Sequence, residues 1–324
     1  MLTNLLLIGA GIILLFFGGE ALIRGALSAA KRLGVSPLLS GLVIVGFGTS
    51  APELVVSVDA AINGQPDISV GNVVGSNIGN ILLILGLCAM ISPMAVHPLA
   101  LRRDGASMVA ATLLFMALAA STALARLDAA ILLLALAAYL VWAYRTESRR
   151  PLPAGEVHAA EADELQALPQ SPLLTTLSII GGLVLLIAGA RILLIGAVAL
   201  ATEAGLSEAL IGLTLVAVGT SLPELAVSLM AALRRHADVA VGNVLGSNIF
   251  NALGILGVSA LLQPLPLAER IAGFDQWVML AAALLLVVFL YTGRRLSRME
   301  GAMLLLGYVA YVGANFLLPG LMPA

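Results

Sequence analysis

The 46 residues from Gly41 to Gly86 return 171 positions later, without a gap, as Gly212 to Gly257. Roughly 27 of these 46 positions are identical, far above chance even in so apolar a chain. Each copy carries a Gly-Thr-Ser-x-Pro-Glu stretch, Gly48 to Glu53 in the first and Gly219 to Glu224 in the second. Both stretches sit inside runs apolar enough to cross a bilayer. Each therefore puts a Gly, a Pro and a carboxylate where a spanning helix tolerates them least. A glutamate at membrane depth costs about 3 kcal/mol or more, so by default it marks a functional site.

Composition makes the membrane assignment firm. Hydrophobic residues make up 60% of the 324 and charged residues only 10%, whereas a soluble chain needs about a quarter charged. Mean hydropathy is +1.07. The net charge of −2 offers no basic surface for nucleic acid, and no protein partner is implied. The single cysteine, Cys88, excludes an intrachain disulfide and reads as a buried, inert thiol. The first residues, Met1 to Asn4, lack a basic leader, so the first apolar run is expected to be retained as a helix.

Taking about 20 apolar residues per span, the chain reads as an all-α membrane protein with ten transmembrane helices. They are expected near Leu5–Ala29, Leu38–Ile62, Ile68–Ile91, Ala106–Ala123, Leu127–Tyr144, Leu173–Leu200, Ala209–Leu233, Val239–Leu262, Phe274–Tyr291 and Met299–Leu318. Residues 1–144 form the first repeat, 145–171 a polar, Pro-rich cytoplasmic linker, and 172–324 the second repeat. Lys and Arg concentrate in the odd-numbered loops, while the even-numbered loops carry only Arg126 and Arg270. By the positive-inside rule the odd loops are cytoplasmic, which predicts a multi-pass protein of the cell (inner) membrane with both termini outside. Five helices per half is an odd number, so the second half enters the membrane inverted. Weaker matches extend the repeat upstream, pairing Gly18 with Gly189 and Gly25 with Gly196. Inverted-topology repeats are the architecture of many secondary transporters, with the substrate held near the midplane between the halves.

Pro52 lacks an N–H and Gly48 adds freedom, so a break is expected in the second helix, with its counterpart at Pro223 and Gly219 in the seventh. Thr49, Glu53 and Ser57 fall at i, i+4 and i+8 and share one helix face, and Thr220, Glu224 and Ser228 repeat them. Asn72, Ser76 and Asn80 make a similar stripe in the third helix, repeated by Asn243, Ser247 and Asn251 in the eighth. Gly71, Gly75, Gly242 and Gly246 are expected to let these helices approach others closely. The donor atoms are hydroxyl, amide and carboxylate oxygens, with no imidazole or sulfur, a set that suits hard cations such as Ca²⁺ and Na⁺. Two ionised glutamates close together need about two positive charges, which one Ca²⁺ or two monovalent cations supply; protonation is the competing escape. Outside this set, Glu20 and Arg24 are expected to pair at i, i+4, Arg191 to snorkel, and Asp67 and Asp238 to compensate helix N-termini.

At these duplicated motifs the chain resembles the calcium:cation antiporter superfamily, and within it the prokaryotic sodium/calcium exchangers. The resemblance covers both halves. It implies a ten-helix fold that exchanges Ca²⁺ for Na⁺ by alternating access, without a cofactor. It also implies that Glu53 and Glu224 are central carboxylates shared by both ions. By the same resemblance Thr49, Ser50, Ser76 and Asn80 are first-half ligands, Thr220, Ser221, Ser247 and Asn251 second-half ligands, and the carbonyls of Gly46 and Ala217 complete Na⁺ sites. One departure is that some relatives, including potassium-dependent exchangers, carry Asp where this chain has Asn251, which argues against potassium co-transport. The linker is also too short for a calcium-sensing domain.

Three other readings are weighed against Na⁺-driven Ca²⁺ antiport. H⁺/Ca²⁺ exchange would use protonation of Glu53 or Glu224. A passive channel needs neither strong central binding nor two opposed halves. A membrane enzyme would need acid–base partners at membrane depth, whereas His97 and His236 fall in loops and His158 in the linker.

Overall fold

The computed structural model describes residues 2–34, 37–95, 100–147, 171–203, 219–293 and 295–317. Among these residues six helices are long and apolar enough to cross a membrane: Leu2–Leu33, Pro66–Ile91, Arg126–Thr146, Pro172–Leu200, Ala237–Leu262 and Ile271–Thr292. A seventh span is broken, its segments Gly41–Thr49 and Ala51–Ile62 meeting at 47°. Shorter helices cover Ala106–Ala119, Leu222–Leu233 and Arg298–Leu317. The chain is a membrane-spanning helical protein. The expected helix ends agree to within a few residues wherever they are described. Residues 204–218, which include Ala217 and the start of the expected seventh helix, lie outside the described residues, as do 148–170 of the linker, His97 and His158.

Burial separates two layers. In Pro66–Ile91 and Ala237–Leu262, 67% and 83% of the most apolar stretch is buried, against 33% and 22% in Leu2–Leu33 and Pro172–Leu200. The first two helices form the core, and the other two pack antiparallel to each other at the periphery. Small residues set that packing. A Cβ on Gly11 would sit 2.8 Å from the Gly189 carbonyl, and one on Gly18 would sit 2.8 Å from the Leu186 nitrogen. Gly11, Gly18 and Gly25 recur at spacing seven, and Gly182, Gly189 and Gly196 are their copies 171 residues on. With no larger residue on these stripes, backbone meets backbone, and dispersion rather than the hydrophobic effect joins the helices. The buried Ser28 and Thr175 hydroxyls add a hydrogen bond of 2.8 Å across the pair.

Two short antiparallel ribbons also bridge the halves. Met94–Ala95 pairs with Arg295–Leu296, and Ala123–Leu124 pairs with Leu265–Pro266. Adding 171 to the first-half member of either ribbon gives, within a residue, the second-half member of the other. No sequence pattern announced these strands. Nor did any announce the π-helical segments Asn80–Leu85 and Phe250–Ile255, or Ala100–Gly105 and Ile271–Asp275, which recur at matching positions in the two halves.

Several expectations are corrected by the packing. Gly246 does allow close approach, since a Cβ there would overlap the Leu42 carbonyl, but Gly71 and Gly75 have nothing within 4 Å. They line a cavity instead. Arg103, one of the Lys and Arg residues assigned to the odd-numbered loops, is only 2% exposed. Its Nε and Nη2 donate to both carboxylate oxygens of Asp104 at 2.6 and 2.9 Å, and the Tyr139 hydroxyl donates to the same carboxylate at 2.9 Å. The copy of Asp104, Asp275, accepts from Arg270 at 3.2 Å and from the Tyr311 hydroxyl at 3.0 Å. Glu20 does pair with Arg24 at 2.8 Å, and it also meets Arg234 at 3.1 Å. Arg191 is exposed, and Asp67 and Asp238 stand in the first turns of their helices.

Candidate cation site

The break in the second span falls at Ser50, whose φ of −78° and ψ of 7° leave the helical region between Thr49 and Ala51. Pro52 then lies in the first turn of Ala51–Ile62, where its missing N–H costs nothing. Ser221 repeats the geometry at φ −87° and ψ 9°, with Pro223 in the first turn of Leu222–Leu233. The break therefore places Glu53 and Glu224 in the first turns of the helices that follow, where the partial positive charge of an N-terminus favours a carboxylate.

Glu53 and Glu224 are 0% and 1% exposed, and each is held by the serine beside the other. Ser50 Oγ donates to Glu224 Oε1 at 2.9 Å, and Ser221 Oγ donates to Glu53 Oε1 at 3.0 Å. Ser221 Oγ also lies 3.4 Å from Ser76 Oγ. The two carboxylates are thereby drawn to one place from separate halves of the chain. Among the described residues neither forms an ion pair.

The other expected ligands take up two kinds of position. Thr49 Oγ1 donates to Asn243 Oδ1 at 3.2 Å, and Ser247 Oγ donates to the Gly46 carbonyl at 3.0 Å, so Gly46 is bound within the protein here. Thr220 is partly buried in the turn before Leu222. Asn80 and Asn251 are 1% and 0% exposed and direct their Nδ2 groups at Asn248 Oδ1 and Asn77 Oδ1, both at 3.0 Å. Asn72 and Asn243, the first members of the expected stripes, donate to Ser57 and Ser228 and to the backbone carbonyls of Glu53 and Glu224. They brace the carboxylate-bearing helices, and Ser57 and Ser228 belong to that brace. The ideal i, i+4, i+8 stripe thus divides between bracing and site-facing positions.

Seven buried side-chain oxygens have no hydrogen-bond partner among the described residues. Four of them are Glu53 Oε2, Glu224 Oε2, Asn80 Oδ1 and Asn251 Oδ1, two pairs related by the repeat. A buried acceptor left unpaired costs about 1–3 kcal/mol, and more when charged. Four such atoms, all acceptors and two of them on carboxylates, are oxygen donors of the kind that hard cations take.

A cavity of about 450 Å³ reaches this place and is lined by Asn72, Ser76, Ser221, Asp67, Arg270 and Asp275, among others. Its wall includes Gly71, Gly75 and Gly79, one face of the third span. On the matching face of Ala237–Leu262, Gly246 is pressed on the Leu42 backbone, and Phe250, in the place of Gly79, stacks on Phe47 with ring centroids 4.4 Å apart. Among the described residues the halves match in sequence and differ in access.

The sodium/calcium exchanger protein family matches residues 3–145 and 174–317, which brackets the linker. The chain is 40% identical to the putative antiporter CaxA of Alkalimonas amylolytica, over 96% of this chain and 98% of that protein. It is 33% identical to the sodium/calcium exchanger MaX1 of Methanosarcina acetivorans, over 97% and 99%. Among solved structures, the sodium-calcium exchanger NCX_Mj soaked with zero Na⁺ and Ca²⁺ superposes with a TM-score of 0.83 at 30% identity, over 97% of this chain and 99% of that one. By sequence and by fold, the chain belongs to the sodium/calcium exchanger family of multi-pass membrane antiporters.

Proposed function

We propose that this protein is a Na⁺-driven Ca²⁺ antiporter of the cell membrane, built as ten helices in two inverted five-helix repeats, residues 1–144 and 172–324, joined by a cytoplasmic linker. The observation that carries the reading is the set of four buried, unpartnered acceptor oxygens on Glu53, Glu224, Asn80 and Asn251. Two glutamates supply a charge of −2, which one Ca²⁺ balances. Ser50, Ser76, Thr49, Thr220, Ser221 and Ser247 surround this set as further hydroxyl ligands, and the Gly46 and Ala217 carbonyls complete the Na⁺ positions. Binding Na⁺ and Ca²⁺ to overlapping oxygens makes them compete, and competition at one site is what couples their opposite movement.

The unequal access supports alternating exposure. The cavity lining includes Asp67 and Arg270, which lie at the helix ends that the distribution of Lys and Arg assigns to the side away from the cytoplasm. On the matching face of Ala237–Leu262, Phe47 stacks on Phe250 and Gly246 packs on Leu42. The conformation is thus read as open outward, with both termini outside.

Reconstituted vesicles test this directly. Na⁺-loaded vesicles diluted into Na⁺-free buffer should accumulate Ca²⁺ in proportion to the imposed gradient. Uptake indifferent to Na⁺ but driven by a pH gradient would select H⁺/Ca²⁺ exchange instead, and single-channel current would select a passive pore.

A further inference from the structure

Asn77 and Asn248 are absent from the ligand set above, yet both are 2% exposed and stand where the two core helices cross. Their amides clasp each other's backbones. Asn77 Nδ2 donates to the Asn248 carbonyl at 3.2 Å, and Asn248 Nδ2 donates to the Asn77 carbonyl at 3.3 Å. A backbone carbonyl only accepts, so each Nδ2 must lie on that side and each Oδ1 must face the other way. The second proton of each amide has an acceptor too, since Asn77 Nδ2 lies 3.6 Å from Met279 Sδ and Asn248 Nδ2 lies 3.6 Å from Met108 Sδ. Both donors are thus committed, and what remains of each side chain is one fixed acceptor.

Those acceptors face Asn251 and Asn80. Asn77 Oδ1 receives Asn251 Nδ2, and Asn248 Oδ1 receives Asn80 Nδ2. An amide that gives its nitrogen to one neighbour must turn its oxygen away from it. The oxygens so turned are Asn80 Oδ1 and Asn251 Oδ1, two of the four unpartnered acceptors. Without the clasp, either amide could rotate and present N–H to a cation, which repels it.

We propose that Asn77 and Asn248 are positioning residues that lock the amides of Asn251 and Asn80 with oxygen toward the transported cation. The assignment rests on the cation site proposed above. It also accounts for a neutral residue at position 251. With Asn77 Oδ1 fixed as an acceptor, an amide there both satisfies Asn77 and offers an oxygen, whereas an ionised carboxylate would set oxygen against oxygen.

A double-mutant cycle on Ca²⁺ transport in vesicles tests it. Asn77→Ala should raise the KM for Ca²⁺ on the order of 10-fold, the cost of losing an outer-shell partner of a metal ligand, with kcat held within about twofold. Asn251→Ala should raise it comparably. The double substitution should be no worse than the larger single one, because Asn77 acts only through Asn251. Asn248 and Asn80 form the second cycle, with the same expectation. Additive effects in both cycles, or loss of kcat with KM unchanged, would overturn the assignment. Where alanine prevents folding, Asn77→Leu and Asn248→Leu fill the volume; if these too fail to fold, the clasp is structural and the assignment is wrong. The unmodified protein, run alongside, separates the two ideas. No cation-coupled Ca²⁺ uptake there defeats the proposed exchange, while normal uptake with additive mutants defeats only the roles of Asn77 and Asn248.

Discussion

Glu53→Gln removes one charge from the site and little else. The amide keeps the shape of the carboxylate and retains an oxygen to accept from Ser221, now at 3.0 Å, so the fold has no steric reason to change. What changes is the balance of a fully buried site without an ion pair among the described residues. With two glutamates a bound Ca²⁺ is neutralised; with one, a net positive charge is left in the interior. Removing one partner of a buried charge pair costs about 3–5 kcal/mol. At about 1.4 kcal/mol per tenfold, that weakens Ca²⁺ binding by about two to three and a half orders of magnitude. Coulomb energy scales with the charge of the ion, so a single Na⁺ in the same position loses about half as many orders of magnitude. The substitution should therefore move selectivity as well as affinity, toward the monovalent ion. Isothermal titration in detergent, with Ca²⁺ and Na⁺ separately, measures both. Ca²⁺ binding within tenfold of the unmodified protein, or equal weakening of the two ions, would refute the reasoning.

Three further expectations rest on particular contacts. Gly246→Ala forces a methyl onto the Leu42 carbonyl and should destabilise the protein by about 1–3 kcal/mol in a detergent melt, whereas Gly71→Ala, with nothing within 4 Å, should leave the melt unchanged. Arg103→Met removes the cation from a buried Asp104 carboxylate and should cost about 3–5 kcal/mol, while Arg270→Met, at a guanidinium 38% exposed, should cost about 1 kcal/mol or less by the same measurement. Asn251→Asp should retain Ca²⁺ flux, yet melt earlier by about 1–3 kcal/mol without cations because an acceptor then faces Asn77 Oδ1, and added Ca²⁺ should recover the loss.

The sequence carried the location of the site further than its wiring. The duplicated Gly-Thr-Ser-x-Pro-Glu identified Glu53 and Glu224, because a carboxylate inside an apolar run is conspicuous whatever the fold. Helical periodicity then grouped Asn72 with Ser76 and Asn80, and Asn72 and Ser76 do line one cavity, but a shared face did not reveal a shared role. Asn72 is spent on Ser57 and the Glu53 carbonyl. Asn77 stood one residue off the stripe and was passed over, although its identity with Asn248 in the repeat was a usable signal. The seven-residue glycine rhythm was visible too, but pairing Gly18 with Gly189 by alignment did not reveal that Gly11 meets Gly189 in space. That contact depends on the antiparallel docking of two helices, which local pattern does not encode. Arg103 was misplaced for a related reason. A loop cation and a buried bidentate partner of Asp104 look alike until Tyr139 is brought beside them.

The two ribbons bear on how the protein is made. Met94–Ala95 waits for Arg295–Leu296, and Ala123–Leu124 for Leu265–Pro266. During synthesis the N-terminal half is therefore made before either of its strand edges has a partner, and its Glu53 before Ser221. Contacts so distant in sequence make for slow assembly and a long-lived, incomplete intermediate. Premature termination after residue 144 should yield a species that is degraded rather than one that leaks ions.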